Sequence, residues 1–204
     1  MAMSDATPDL AALQERIDRE LKLLWTAEVA SDYHNQMLLR EDCLKAAIYH
    51  HLRHRLGDEY LLANRVRVWT EYILDSNQRA DIAVVRLSPE YAFEVESVLA
   101  IIECKSKAAW VSLDYFQEDV DKIRYLSRLA AFRNTQFYLA SIWEAAVNSE
   151  EGLAMLLKRQ QESWGKRVAE LVGYVPPPGG PVRFTVLAHN GLNPESSVLR
   201  RFER

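Results

Sequence analysis

The sequence predicts an α/β protein, with a mixed central β-sheet flanked by helices. Three observations carry that expectation. Apolar residues recur at helical spacing through the first quarter of the chain. Three strand-like segments then follow one another. After them helix-like and strand-like segments alternate to the end. Consecutive strands followed by such alternation build a mixed sheet covered by helices.

The elements follow in order. Residues 1–8 read as a loose tail. Residues 9–30 form a helix on Leu10, Leu13, Ile17, Leu21 and Leu24 or Trp25. A polar break at 32–35 precedes a second helix over about 36–56, stopped by Gly57. Residues 59–73 are rich in Val, Leu, Trp and Tyr. Within them Val66, Val68 and Thr70 alternate with Arg65, Arg67 and Trp69, which gives the first strand. A turn at 75–78 leads into a second strand, 79–87, broken by Ser88, Pro89 and Glu90. A third strand begins as early as residue 93 and ends at Lys105.

Residues 113–131 read as an amphipathic helix with Leu113, Phe116, Val120, Ile123 and Leu126 or Ser127 on one face. A fourth strand is expected over 136–142 and a long helix over 150–172. A proline turn follows at 176–181, then a last strand over 183–188 and a polar, basic tail. The chain is expected to be a single domain. Residues 1–35 form an N-terminal helical extension and 36–142 the core. Residues 143–204 supply the final helix, proline turn and strand.

Composition narrows the function. The chain has 204 residues, 49% hydrophobic and 26% charged, the balance of a soluble globular protein. No apolar run approaches the roughly 20 residues of a membrane span. The first 13 residues lack a basic start and an apolar stretch, so no secretory signal is expected. Two cysteines, Cys43 and Cys104, make neither a disulfide framework nor a zinc site, and a reducing cytoplasm is the expected compartment. A net charge of −4 excludes a protein coated in basic surface. A nucleic acid would have to be gripped by a narrow patch, helped by metal ions or a second subunit.

The chemistry concentrates in two segments. Asp81 opens the run Ile82-Ala83-Val84-Val85, and Ile101-Ile102 leads into Glu103-Cys104-Lys105. Apolar strands seldom carry such charges, because burying an unpaired one costs several kcal/mol. A divalent metal held by the two carboxylates is the most economical compensation. Glu103 and Lys105 are two apart and project from one strand face, which Leu99 and Ile101 share. Ala100, Ile102 and Cys104 take the other. Asp81 shares a face with Ala83 and Val85. If the second and third strands pair antiparallel, Asp81 comes to lie beside Glu103 and Lys105.

A fourth group joins them. The second helix buries Met37, Leu44, Ile48 and Leu52 on one stripe, and Glu41 falls in that stripe. An inward Glu needs a partner, and a metal-bound water would serve.

This arrangement resembles the PD-(D/E)XK nuclease superfamily, the restriction-endonuclease-like fold. The resemblance covers residues 36–142. It consists of Glu41 on a helix, Asp81 on a strand, and the Glu103-Cys104-Lys105 triplet followed by a helix and a further strand. It implies that Asp81 and Glu103 bind Mg²⁺ or Mn²⁺, with the Cys104 carbonyl as an extra ligand. Glu41 would act through water or as an outer ligand. Lys105 would orient or activate the attacking water and stabilise charge on the phosphate. One departure is that Ala80, not Pro, precedes Asp81. The chemistry agrees, since phosphodiester hydrolysis needs an activated water and relief of phosphate charge, and hard cations with carboxylate ligands supply both.

Other groups carry weaker signals. His50 and His54 are an i,i+4 pair able to hold zinc, but with Arg53 and Arg55 alongside, a solvated helix end is the preferred reading. On the helix after Lys105, Gln117 is best placed to reach the site, with Asp121 and Lys122 beside it. A solvated face including Glu118, Asp119 and Lys122 is the competing reading. Trp110, Tyr115, Arg124, Arg128 and Arg133 could border a nucleic-acid groove, although core packing and ordinary surface explain most of them. Cys104, opposite Glu103, reads as a small core residue.

The expected function is therefore metal-dependent phosphodiester hydrolysis of nucleic acid, DNA rather than RNA. A homodimer would suit double-strand cutting. The alternative is an inactive nuclease-fold binding or assembly protein whose charges form a structural salt-bridge cluster.

Overall fold

Asp9 opens the first helix by accepting a hydrogen bond from the Ala11 amide at 3.1 Å, satisfying one of the amides a helix start leaves unpaired. In the computed structural model, residues 9–75, 78–91, 93–107, 114–143, 168–174 and 180–188 are described; the side chains of 107 and 114–116 are not. Helix α1 (Leu10–Leu24) buries Leu13, Ile17, Leu21 and Leu24. A π-helical stretch, Trp25–Val29, continues it and adds Trp25 and Val29 to the same core. The extra residue in that turn rotates the register, so both join the core shared with the sheet. Helix α2 (Ala30–His34) carries the chain on through the polar break expected there. Asp32, in that segment, is held by His51 Nε2 at 2.7 Å.

Helix α3 is Glu41–Leu56, five residues shorter at its start than the stripe suggested. Gln36 takes φ 60° as α2 ends, and Arg40 is extended, so 37–40 cannot be helical. Met37 is exposed, and Leu38 is buried in its place. The rest of the stripe, Leu44, Ile48 and Leu52, is buried as expected. Gly57 ends the helix at φ 78°, a conformation glycine adopts without strain. A short helix α4 (Asp58–Ala63) occupies the start of the expected first strand. The turn closes at Arg65, which has φ 56°, and the strand begins at Val66.

Six strands form one sheet in the order β1-β2-β3-β4-β5-β6. They are β1 (Val66–Asp75), β2 (Gln78–Leu87), β3 (Val95–Lys107), β4 (Gln136–Trp143), β5 (Val168–Tyr174) and β6 (Arg183–Ala188). β2 pairs antiparallel with β1 and with β3. β3, β4 and β5 run parallel, and β6 returns antiparallel to β5. Between β3 and β4 lies α5 (Asp114–Arg128). The fold is thus a mixed α/β sheet with flanking helices, the class read from the sequence. No helix among the described residues is long and apolar enough to cross a membrane.

Two expectations are corrected by β5 and β3. Residues 168–172, assigned to a long helix, are strand, while 150–167 lie outside the described residues. The run Val168-Ala169-Glu170-Leu171-Val172 is buried throughout, as a parallel strand covered on both faces must be, and such a run lacks the alternation that marks a strand. In β3, Val84 pairs with Ala100 but Val85 pairs with Val98, so Leu99 is an extra, bulged residue. It packs with Ala100, on the face opposite Ile101. Residues 1–8 and the tail past 188 lie outside the described residues, as do Trp110 and most of the proline turn.

The core has two halves, one on each face of the sheet. Leu44, Ile48, Trp25, Ile82, Ile102 and Tyr138 fill the α1/α3 side. Val120, Ile123, Ala83, Ile101 and Phe137 fill the α5 side. Gly173 is forced by packing on the first of these. A Cβ there would stand 3.0 Å from Phe184 Cε1 and 3.4 Å from Ile142 Cγ1. The Phe184 ring is itself wedged against Trp25 and Tyr33. Gly173→Ala should therefore destabilise the fold by about 1–3 kcal/mol through overpacking, measured by urea unfolding.

Candidate functional site

The bulge at Leu99 sets the site. Beyond it β3 alternates regularly, and Ile102 and Cys104 face α3 while Ile101 packs toward α5. Glu103 and Lys105 follow Ile101 by period two. Ile82 of β2 lies opposite Ile102, so Asp81 comes abreast of the Glu103-Cys104 pair, as the expected antiparallel pairing requires.

The Cys104 amide donates to Asp81 Oδ2 at 2.8 Å. A strand residue directs its N–H and C=O to the same side, so the Cys104 carbonyl also points toward β2. Asp81 Oδ1 pairs with Lys45 of α3 at 3.0 Å, and Lys45 also bonds Glu71. This turns the Asp81 carboxylate toward α3, away from the Ala83 and Val85 face it was expected to share. Burial alone would lower the Lys45 pKa, but the bonds to Glu71 and Asp81 outweigh it and hold the amine protonated.

Lys105 stands between two elements, with Nζ 3.8 Å from Glu41 Oε1 of α3 and 3.3 Å from Asp119 Oδ2 of α5. Glu41 is the first residue of α3 and also accepts from the Ser106 amide. Burial raises its pKa, Lys105 opposes that, and Asp81 adds to it. Asp119 behaves alike, raised by burial against the pull of Lys105 and Lys122.

Glu103 is 1% exposed. Lys122 of α5 reaches its Oε2 at 2.6 Å and also donates to the Arg79 carbonyl at 2.8 Å. Glu103 Oε1 is buried and has no hydrogen-bond partner among the described residues. Burial pushes the Glu103 carboxyl up to about 8; Lys122 works against this, while Asp81 and Asp119 add repulsion. A shallow cavity beside it is lined by Glu103, Lys105, Asp119, Ser141 and Glu170.

The four residues read from the sequence, Glu41, Asp81, Glu103 and Lys105, therefore meet at the ends of β2 and β3 between α3 and α5. Their charges are mutually felt, since Asp81 acts on both Glu41 and Glu103. The donor types are those a hard divalent cation takes: two carboxylates, one with a buried oxygen that has no hydrogen-bond partner among the described residues, and a backbone carbonyl. Among the described residues, no three His, Cys, Asp or Glu side chains stand together at ligating spacing. The set read here asks for only two direct side-chain ligands.

Sequence reading missed Lys45 and Glu170, left Asp119 on a solvated face although it is buried, and named Lys122 only beside the preferred Gln117. Asp119 was legible, because it lies three after Phe116 and four before Ile123, inside the inward stripe. The test that found Glu41 would have found it. Gln117, preferred instead, bonds Asp121 at 2.9 Å at the surface. Lys45 was legible by the same test, four after Glu41 and three before Ile48, and Glu170 was hidden in the run read as helix.

The other candidates stay apart. His50 and His54 are exposed, with stacked rings, and Arg128 and Arg133 are exposed. Arg124 pairs with Asp121. The Tyr115 side chain lies outside the described residues. Cys104 is fully buried, and burial raises its thiol pKa well above normal, so it is a core residue and no nucleophile. Comparison of the chain with family models, with curated proteins and with solved structures returned no match.

Proposed function

We propose that the chain is a metal-dependent phosphodiesterase of the PD-(D/E)XK type, acting on nucleic acid and on DNA rather than RNA. One observation carries the reading. Asp81 on β2 binds the backbone of the Glu103-Cys104-Lys105 triplet on β3, and Glu103 keeps a buried oxygen unspent. The order of elements supports it too: Glu41 on a helix, two strands bearing Asp81 and the triplet, then a helix and a strand. That is the order of the restriction-endonuclease-like core.

Asp81, Glu103 and the Cys104 carbonyl would hold Mg²⁺ or Mn²⁺, with Glu41 engaged through water. The ion would lower the pKa of a water and offset phosphate charge. Lys105, steadied by Glu41 and Asp119, presents an ammonium to a phosphate oxygen, where the charge of the transition state develops. Fixing that ammonium beforehand spares its reorganisation during the reaction. A cytoplasmic homodimer is the form suited to cutting both strands.

A second reading also has an observation behind it. Lys45, Lys105 and Lys122 each pair with a carboxylate of the cluster. Such pairing would satisfy the charges of a binding or assembly protein without metal.

Incubation with DNA and RNA in Mg²⁺ or Mn²⁺ separates the two. Cleavage by wild type is expected to fall by about a hundredfold or more in Lys105→Ala, the loss typical of one transition-state donor. Equal background cutting by wild type, Asp81→Ala and Lys105→Ala would sink the enzyme reading.

A further inference from the structure

We propose that Lys122 is a built-in competitor for the metal position, an ammonium that occupies Glu103 until a divalent cation displaces it. The proposal rests on the metal-centre reading above and names the residue that sets its affinity.

A carboxylate as buried as Glu103 must be neutralised by a proton, an ammonium or a metal ion. Lys122 is the ammonium in place, 2.6 Å from Oε2 and anchored by the Arg79 carbonyl at 2.8 Å. Any cation at Glu103 therefore meets a fixed positive charge on the same carboxylate, and like charges that close repel strongly where water is scarce. Lys105 is engaged elsewhere, with Glu41 and Asp119. Lys45 sits on Asp81, and it has a second carboxylate, Glu71, to remain with.

Lys122 differs from both. Among the described residues Glu103 is the carboxylate it bonds, and its other hydrogen-bond acceptor is the neutral Arg79 carbonyl. Its side chain is 21% exposed, so the amine has a path to solvent when an ion arrives. It also comes from α5 and not from the strands that carry the ligands, so its departure leaves Asp81, Glu103 and Cys104 paired within the sheet. The device makes metal binding weak, reversible and selective for cations with charge enough to expel an ammonium.

The test is Mn²⁺ titration calorimetry on wild type, Lys122→Gln, Lys122→Met and Lys122→Arg, with thermal melts as the folding check. Gln keeps a donor for both oxygens, and Met keeps the apolar stem, so a single folded variant of the two suffices. Removing the charge is expected to tighten Mn²⁺ binding by about tenfold or more. Lys122→Arg, which keeps the charge, should stay near wild type. Unchanged or weaker Mn²⁺ binding in the folded neutral variants, with wild type still binding, would overturn the proposal and leave the metal centre standing. Absence of Mn²⁺ binding in wild type and neutral variants alike would overturn both.

Discussion

Glu103→Gln is expected to abolish Mn²⁺ binding and to slow metal-dependent phosphodiester cleavage by about a thousandfold or more. The magnitude follows from the several kcal/mol of charge stabilisation that a bound cation supplies. Glutamine matches the shape of glutamate but offers a hard cation one neutral oxygen in place of a charged pair. The buried Oε1, which has no hydrogen-bond partner among the described residues, belongs to the carboxylate whose charge is lost. The fold should tolerate the change. Burial pushes the Glu103 carboxyl up to about 8, so a charge there is costly to the fold and a neutral amide relieves that cost. The amide oxygen can still accept from Lys122. A melting temperature within a few degrees of wild type, with activity gone, is the expected pairing. Activity within tenfold of wild type in a folded Glu103→Gln would remove Glu103 from the chemistry.

Trp25→Ala is expected to cost about 3–5 kcal/mol of stability, the range for deleting a large buried aromatic. Trp25 is fully buried in the π-helical stretch and packs on Phe184 of β6 with ring centroids 5.2 Å apart. It joins the N-terminal helix to the far end of the sheet, so its loss opens a cavity that neither element can close alone. A domain is stable by only about 5–15 kcal/mol, and the variant would forfeit a large share of that. Trp25→Phe should cost less, because it keeps an aromatic ring in the site and so leaves a smaller cavity. Urea unfolding measures both. A loss under about 1 kcal/mol for Trp25→Ala would mean that the π-helical turn does not anchor the N-terminal helix to the sheet.

The legible part of the fold was the part with strong periodicity. The stripes of α1 and α3 and the segment Asp81–Val85 followed by Ile101–Lys105 fixed the faces of the central elements. Because the bulge at Leu99 lies before the triplet, the order Glu103, Cys104, Lys105 kept its expected alternation. What failed did so for physical reasons. The Val168–Val172 run is buried on both faces and so has no strand period. Met37 fits the stripe of α3 by spacing alone, but the left-handed turn at Gln36 keeps the helix from reaching it.

At the site, four residues from three separated segments came together as expected. The ion pairs did not declare themselves. Lys45 and Lys122 reach Asp81 and Glu103 with long flexible side chains, and spacing cannot show where such chains end. Asp119 could have been found, since its helical position is as inward as that of Glu41.

Anomalous diffraction from crystals soaked in Mn²⁺ tests the metal centre most directly. One manganese peak is expected between the carboxylates of Asp81 and Glu103 and beside the Cys104 carbonyl, with Lys122 withdrawn from Glu103. Crystals at millimolar Mn²⁺ with no peak there, and with Lys45 and Lys122 still seated on the two carboxylates, would contradict it and leave a structural salt-bridge cluster.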